Sequence, residues 1–267
     1  MKFRQASARI RGFTLIELLV VIAIIGIMAG MLLPALSKAR AQGQSANCVN
    51  SLHQWGLAST MYMDDNDGLI PLDTESGGSD TPSWNQITGP PSTSTWYNVL
   101  MPYIQKPPMA SYKPTPALLY QSGIIQQCPS AKWSGKELLA AGPKFSYAYN
   151  SQIIDSGHPT VRLQDLESPH QGGNVNNRPV NSTTVAMILD TRASTAEPRV
   201  FPSENDAKVG SPHCYTKRLS NRHLGRLNIV FFDGSVRSYD AVPLQDGVGQ
   251  NIPTSPVIWN PWDPDAP

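Results

Sequence analysis

One apolar segment near the N-terminus constrains this chain more than any other feature. Residues 13–33 carry a single ionisable side chain, Glu17, and the eleven residues before Gly12 hold four basic side chains and no acidic one. As a helix the segment spans about 30 Å, which matches the hydrocarbon core of a bilayer. Because basic flanks stay cytoplasmic, the pattern predicts one inner-membrane span with the C-terminal part exported.

Gly12 precedes the apolar segment, whereas a secretory signal peptide carries its small-residue cleavage site after the apolar region. Cleavage after Gly12 would therefore remove the basic leader, residues 1–12, and keep the helix. An ionisable group inside a membrane helix is unfavourable unless it is paired, so Glu17 predicts a cationic partner. The amino group that cleavage would create on Phe13 is one such cation. The alternative is that Glu17 reaches the membrane interface.

The helix is expected to continue beyond the membrane segment. Pro34 removes one helical N–H, so a kink is expected at the end of residues 13–34. Apolar side chains then recur at spacings of three and four, which predicts an amphipathic continuation over residues 35–66. Those side chains are Cys48, Leu52, Trp55, Ala58 and Tyr62. Residues 67–267 follow as one C-terminal globular domain.

The run Gly12-Phe13-Thr14-Leu15-Ile16-Glu17-Leu18 resembles the cleavage and methylation motif of type IV pilins and type II secretion pseudopilins. Pro34 stands at that family's kink position. The resemblance implies cleavage after Gly12 by a prepilin peptidase, N-methylation of Phe13, and pairing of Glu17 with the Phe13 amine of a neighbouring subunit. It also implies an α+β, pilin-like fold, in which a long N-terminal helix packs on an antiparallel sheet with long loops.

An acidic run, Asp64-Asp65-Asn66-Asp67-Gly68, ends the predicted helix. If Gly68 were the sixth residue of an EF-hand loop, Met63 and Thr74 would occupy its first and twelfth positions, and neither supplies a carboxylate. The run therefore predicts a helix-ending turn with Gly68 in the left-handed conformation. A calcium site of another kind between Asp64 and Asp67 is the alternative.

The composition describes a loop-rich exported domain. Its 24 prolines and 20 glycines, with only 15% charged residues, favour many turns over a helical bundle. Without the four basic leader residues, 17 basic residues remain against 20 acidic ones, so no basic surface points to nucleic acid. Neither Gly-x-Ser-x-Gly nor His-Glu-x-x-His occurs. We predict a non-enzymatic protein without a cofactor or a metal.

The clearest strand signal lies in residues 223–239. Leu227–Phe232 is a strand that ends in the apolar run Ile229–Phe232. Asp233-Gly234 is a strong hairpin-turn signal, and Ser235–Tyr239 returns along the first strand. Because the first arm ends as an unbroken apolar run, it is expected to be central in its sheet.

His223 and Asp233 are ten residues apart, and the strand between them alone would separate its two ends by about 20 Å. One metal ion cannot bridge that distance. We therefore assign His223 to anchoring a loop, and Asp233 with Gly234 to the turn.

The spacing of His223 nine residues before Asp233-Gly234 resembles the C-terminal H-X9-DG signature of a large, DUF1559-like set of prepilin-like proteins. That set is abundant in planctomycete and verrucomicrobial-type bacteria. Residues 47–58 resemble its post-membrane helix, although His53 and Trp55 stand where Lys and Ile are expected. Two mid-chain runs, Cys128-Pro129-Ser130 and Ser146-Tyr147-Ala148-Tyr149-Asn150, resemble its other motifs. The resemblance implies no biochemical role for the domain.

The three cysteines are widely spaced and form no Cys-x-x-Cys pair, which argues against a zinc knuckle or a thioredoxin motif. In an exported domain they allow one disulfide and one free thiol, or three unpaired thiols. A bond between Cys48 and Cys128 would tie the long helix to the middle of the chain, and both alternatives stay open.

Two functions fit these patterns. The first is a structural subunit, a pseudopilin or minor pilin that assembles with like or related subunits through its N-terminal helix. The second is a membrane- or filament-anchored binding module that captures glycans or other polymers. Trp84 and Trp96 lie in a Ser-, Thr-, Gly- and Pro-rich stretch and could stack on sugars, or they could cover the core beneath a loop.

Overall fold

The computed structural model describes residues 14–73, 82–88, 94–121, 124–136, 140, 142–154, 160–167, 174–175, 178–200, 202, 204, 209–214, 218–244 and 255–262. The basic leader, Gly12 and Phe13 lie outside these described residues. The chain divides into two compact units, residues 1–42 and 43–267.

A helix of 51 residues, α1, runs from Leu15 to Asp65 with Pro34 inside it. Its first turn forms a reciprocal cap, in which Thr14 Oγ1 accepts a hydrogen bond from the Glu17 N–H at 3.3 Å and Glu17 Oε2 accepts one from the Thr14 N–H at 2.9 Å. Past its last residue the Gly68 N–H donates to the Met63 carbonyl at 2.8 Å, and Gly68 adopts φ +77°. The long N-terminal helix predicted from the apolar periodicity is confirmed.

The part of the chain that the structure describes contains four further α-helices, all short. They are α2 (Trp84–Thr88), α3 (Trp96–Val99), α4 (Leu163–Glu167) and α5 (Ala241–Leu244), and 3-10 turns cover Pro102–Ile104, Met109–Tyr112 and Pro116–Tyr120.

Five strands form the main sheet in the order β5-β1-β4-β6-β7, and a separate pair joins β2 to β3. The strands are β1 (Tyr147–Asn150), β2 (Asn174–Val175), β3 (Arg178–Pro179), β4 (Ala186–Asp190), β5 (His213–Cys214), β6 (Arg226–Phe231) and β7 (Val236–Asp240). Strand β6 lies between β4 and β7, so the central position expected from its apolar run is confirmed.

The sheet is mixed, which corrects the antiparallel arrangement expected from the sequence. Strand β5 pairs with β1 in parallel, with Tyr149 opposite His213. The incoming segment already follows β1 before β5 begins, because the Phe145 N–H donates to the Gly210 carbonyl and the Tyr149 N–H to the Pro212 carbonyl. The remaining pairs of the main sheet are antiparallel, and the fold is α+β.

The hairpin between β6 and β7 uses a three-residue loop. The Phe231 N–H donates to the Ser235 carbonyl and the Gly234 N–H to the Phe231 carbonyl, each at 2.9 Å, while Gly234 has φ +78°. This is a turn followed by a left-handed residue, the geometry that favours glycine at its last position. Asp233 fixes the loop by accepting hydrogen bonds from the Ser235 N–H and Oγ.

Strand β6 of the main sheet is buried on both of its faces from Leu227 to Phe231. On one face, the α1 residues Cys48, Leu52, Trp55 and Ala58 pack in a core that includes Val230 and Phe232. The other face buries the alternate residues of β6 together with the C-terminal segment, in a cluster that includes Leu227, Ile229, Phe231, Val257 and Trp259. This alternation follows the two-residue period of a strand.

Candidate assembly helix and buried histidine cluster

The N-terminal part of α1 presents an apolar surface. Every Leu, Ile, Val and Met side chain from Leu15 to Leu36 is exposed, at 45–79% of its full area. By length and composition α1 can cross a membrane. Large exposed apolar surfaces mark sites that are covered by a membrane or by another protein.

Glu17 is the charged residue of this apolar surface. Its Oε2 accepts hydrogen bonds from the Thr14 N–H at 2.9 Å and from Thr14 Oγ1 at 2.8 Å, and its side chain is exposed. The carboxylate thus lies at the first turn of α1, where helix dipoles favour negative charge. Phe13, whose amino group is the predicted partner of Glu17, lies outside the described residues.

His223 lies in a buried cluster of polar side chains. Its Nε2 is 3.1 Å from Asp190 Oδ2 and 3.5 Å from Cys128 Sγ, and the His223 and Asp190 side chains are 1% and 0% exposed. A tight turn holds the histidine, because the backbones of His223 and Arg226 exchange two hydrogen bonds across Leu224 and Gly225, both with positive φ.

Asp190 ends β4 and is held by the neighbouring strand. Its Oδ2 also accepts hydrogen bonds from the Asn228 N–H at 2.9 Å and from Asn228 Nδ2 at 3.0 Å. Burial disfavours the charged carboxylate, but the hydrogen bond and charge of His223, with Arg222 and the Asn228 N–H, outweigh that effect. The pKa of Asp190 is therefore lowered.

A disulfide joins Cys48 of α1 to Cys128, with 5.3 Å between their Cα atoms. Both side chains are buried, and the Cys128 N–H donates to Ser146 Oγ at 2.6 Å. The two sulfur atoms and a ring nitrogen of His223 all lie within 4.8 Å of one another. These three side chains have the ligand types of a metal site. The third cysteine, Cys214, is buried and lies outside the disulfide.

The two halves of the H-X9-DG pattern occupy different places. His223 precedes β6 and is buried, whereas Asp233 follows β6 in the exposed turn, where it lies 3.7 Å from Arg237 Nη2. The Asp233 N–H also donates to the Ser182 carbonyl at 3.0 Å. The motif therefore consists of a buried histidine and a separate hairpin turn.

The two tryptophans of the Ser-, Thr-, Gly- and Pro-rich stretch begin helices α2 and α3 and pack against the core. Trp96 is 1% exposed, donates its Nε1 hydrogen to the Pro212 carbonyl at 3.0 Å, and packs edge-on against Trp55 with 5.0 Å between ring centroids. Trp84 is half-buried and packs against the same core. Trp96 accordingly offers no exposed ring face for a sugar.

A polar groove lies beside the second half of α1. It has a volume of about 320 Å³. Its lining consists of Asn47, Asn50, Ser51, Gln54, Lys106, Ile124, Ile125 and Pro129. Amides, a hydroxyl and an ammonium group dominate this list, so the groove suits a ligand rich in hydrogen-bonding groups.

Comparisons with known proteins agree with the long, exposed apolar helix at the N-terminus. Residues 7–33 match the family model described as the prokaryotic N-terminal methylation motif. The fimbrial protein EcpC of Eikenella corrodens is 44% identical over 69 residues, which are 26% of this chain and 44% of that relative. No solved structure matches the chain. Helix, motif and relative together support a type IV pilin-like protein, and the chain spans less than half of that relative's length.

Sequence reasoning missed the cluster around His223. Its members are separated by long stretches of chain, and no local spacing joins Cys48 or Cys128 to His223. One signal was present: Asp190 directly follows the apolar run 185–189, and a carboxylate at the end of a buried strand requires a buried partner.

Proposed function

We propose that this chain is a structural subunit, a pseudopilin or minor pilin, of a type II secretion or type IV pilus-like filament. The observation that carries the proposal is the exposed apolar surface of α1 over residues 15–36, which begins within the matched methylation motif. Water cannot favourably cover this surface. The inner membrane would cover it before assembly, and helices of like or related subunits would cover it afterwards.

The methylation motif suggests the individual processing and assembly steps. A prepilin peptidase would cleave after Gly12, methylation would modify the Phe13 amine, and Glu17 would pair with that amine on a neighbouring subunit. Within apolar surroundings, an unpaired carboxylate is strongly disfavoured, so each added subunit would have to bring its amine into register. Residues 67–267 would lie in the periplasm or at the cell surface.

The H-X9-DG resemblance is part of the same proposal. We assign the chain to this DUF1559-like set, with His223 anchoring the loop before β6 and Asp233 with Gly234 closing the hairpin. Buried hydrogen bonds of His223 and the left-handed Gly234 support these structural roles. A pilin-like subunit is a structural protein, which favours a role without catalysis.

The assembly step can be tested with a matched pair of carboxylate substitutions in α1. The full chain is expressed in a host with a pilus or secretion assembly machine, and sheared filaments are quantified. Glu17→Gln should abolish or strongly reduce assembly, whereas Asp64→Asn, which removes an exposed carboxylate from the same helix, should leave it unchanged. Assembly of Glu17→Gln at the wild-type level would contradict the proposal.

A second function is a surface binding module that captures glycans or other polymers, and the polar groove beside α1 favours it. Its exposed amides, Asn47 and Asn50, suit hydroxyl-rich ligands. Binding of the full chain to a polysaccharide array should be lost in Asn50→Ala and retained in Asn85→Ala, an exposed asparagine elsewhere. Absence of binding by the wild-type chain would leave scaffolding as the function.

A further inference from the structure

We propose that the chain has a second, metal-bound state: when Cys48 and Cys128 are reduced, their thiolates and His223 bind one Zn²⁺. This site is independent of filament assembly. It rests on three buried side chains that come from α1, the segment after residue 124 and the loop before β6.

The distance from His223 Nε2 to Cys128 Sγ fits two ligands of one zinc ion. With ordinary zinc–ligand bond lengths, a ring nitrogen and a thiolate sulfur lie about 3.6 Å apart. The corresponding separation is 3.5 Å, and the two sulfur atoms and a ring nitrogen of His223 all lie within 4.8 Å of one another.

The Nε2 atom faces two acceptors that it cannot satisfy together. A ring nitrogen carries one hydrogen or one lone pair, so it can donate to Asp190 or to Cys128, but not fully to both. A cation bound to the two thiolates would instead meet the lone pair of this nitrogen. Neutral imidazole and thiolate are both ligands that zinc accepts.

The surroundings hold these ligands in place. Cys128 is fixed by the hydrogen bond from its N–H to Ser146 Oγ. The Asp190 carboxylate beside His223 is fixed by the two hydrogen bonds from Asn228. Such outer contacts orient metal ligands and raise affinity.

The disulfide and the zinc-bound state exclude each other. One zinc ion holds two thiolate sulfurs about 3.8 Å apart, whereas disulfide sulfurs are covalently bonded. A dithiol reductant supplies two electrons and two protons to the bond between Cys48 and Cys128, and it leaves as a cyclic disulfide while two thiols form. Zn²⁺ then replaces the two thiol protons, which pass to water.

The test uses the full chain in detergent, reduced with a phosphine, which gives the same two thiols by taking oxygen from water. Titration with Co²⁺ should produce thiolate-to-cobalt charge-transfer absorption and tetrahedral visible bands that saturate at one ion per chain. Zn²⁺ should displace the cobalt. The oxidised chain should show neither the charge-transfer absorption nor the tetrahedral visible bands.

Matched variants locate the site. Cys48→Ser and Cys128→Ser should lose the charge-transfer band, and His223→Gln should weaken binding by at least about tenfold. Cys214→Ser and His53→Gln change the same residue types away from the cluster and should bind as wild type. Wild-type binding by Cys48→Ser, or loss of binding in Cys214→Ser, would overturn the proposal.

A measurement without substitutions guards against variants that fail to fold. The reduced wild-type chain is alkylated with and without Zn²⁺, and peptide mass spectrometry reports each cysteine. Zinc should slow modification of Cys48 and Cys128 together at least about tenfold and leave Cys214 unaffected. Equal rates with and without zinc, or the absence of stoichiometric Co²⁺ binding, would show that the cluster holds no metal.

Discussion

Gly56 of α1 lies directly against Val230 of β6, so that a Cβ atom at position 56 would come within 2.9 Å of Val230 Cγ2. The same atom would lie 3.3 Å from the Cα of Gly234 in the hairpin turn. The absence of a side chain at position 56 thus permits close packing of this part of α1 on the sheet.

Substitution of two glycines in α1 should change stability in opposite directions. Gly56→Ala should lower the free energy of unfolding by about 1–3 kcal/mol, because the methyl group overpacks the contact with Val230. Gly43→Ala places its methyl group in open space. This substitution should raise the free energy of unfolding by roughly 0.5–1 kcal/mol, because alanine has a higher helix propensity than glycine. Denaturant unfolding of both variants, followed by circular dichroism, measures the difference; equal effects would show that the contact is not tight.

The disulfide between Cys48 and Cys128 should be the main covalent constraint of the domain. It closes a loop with a sequence separation of 80, for which the chain-entropy model gives about 4–5 kcal/mol. Reduction should lower the denaturant concentration at the midpoint of unfolding, because this stabilisation is then lost. A non-reducing peptide map should join the peptides of Cys48 and Cys128, and a linkage that includes Cys214 would contradict the structure.

The buried thiol of Cys214 should be nearly inert at neutral pH. Burial raises its pKa to about 11, so the reactive thiolate is scarce until the pH approaches that value. Iodoacetamide should modify Cys214 slowly in the native chain at pH 8 and rapidly after denaturation. Equal rates in the two states would mean that Cys214 is exposed.

Two carboxylates should differ widely in their contribution to stability. Asp190→Ala leaves the Asn228 donors and His223 buried without their acceptor and should cost about 3–5 kcal/mol. Asp240→Ala breaks an ion pair with Arg226. The Arg226 side chain is 52% exposed and the Asp240 side chain 74%, so the loss should cost less than about 1 kcal/mol. Thermal unfolding of the two variants and of the wild-type chain measures the loss of stability in each. Similar losses would indicate that Asp190 is not held as described.

The elements that local patterns determine could be predicted from the sequence. The apolar spacing of Cys48, Leu52, Trp55 and Ala58 gives the buried face of α1, and the run before Asp233 gives the central strand β6. These features depend on near neighbours, whose periodicity directly reflects helix or strand geometry.

Long-range pairings could not be predicted in the same way. The parallel edge strand β5 contains only His213 and Cys214, too few residues to show a period. His223, Asp190 and Cys128 meet only because the sheet order places β4 beside β6, and no short motif encodes that order. Trp96 carries a polar handle as well as a large ring, so its sequence context alone does not separate a core residue from a ligand platform.

The N-terminus of the mature chain tests the central claim most directly. The full chain is expressed with and without a prepilin peptidase, and the intact mass and the N-terminal peptide are determined. A pilin-like subunit should lose residues 1–12 and begin at Phe13 with one added methyl group on its amine, only when the peptidase is present. An intact N-terminus, or cleavage after the apolar segment, would contradict the account.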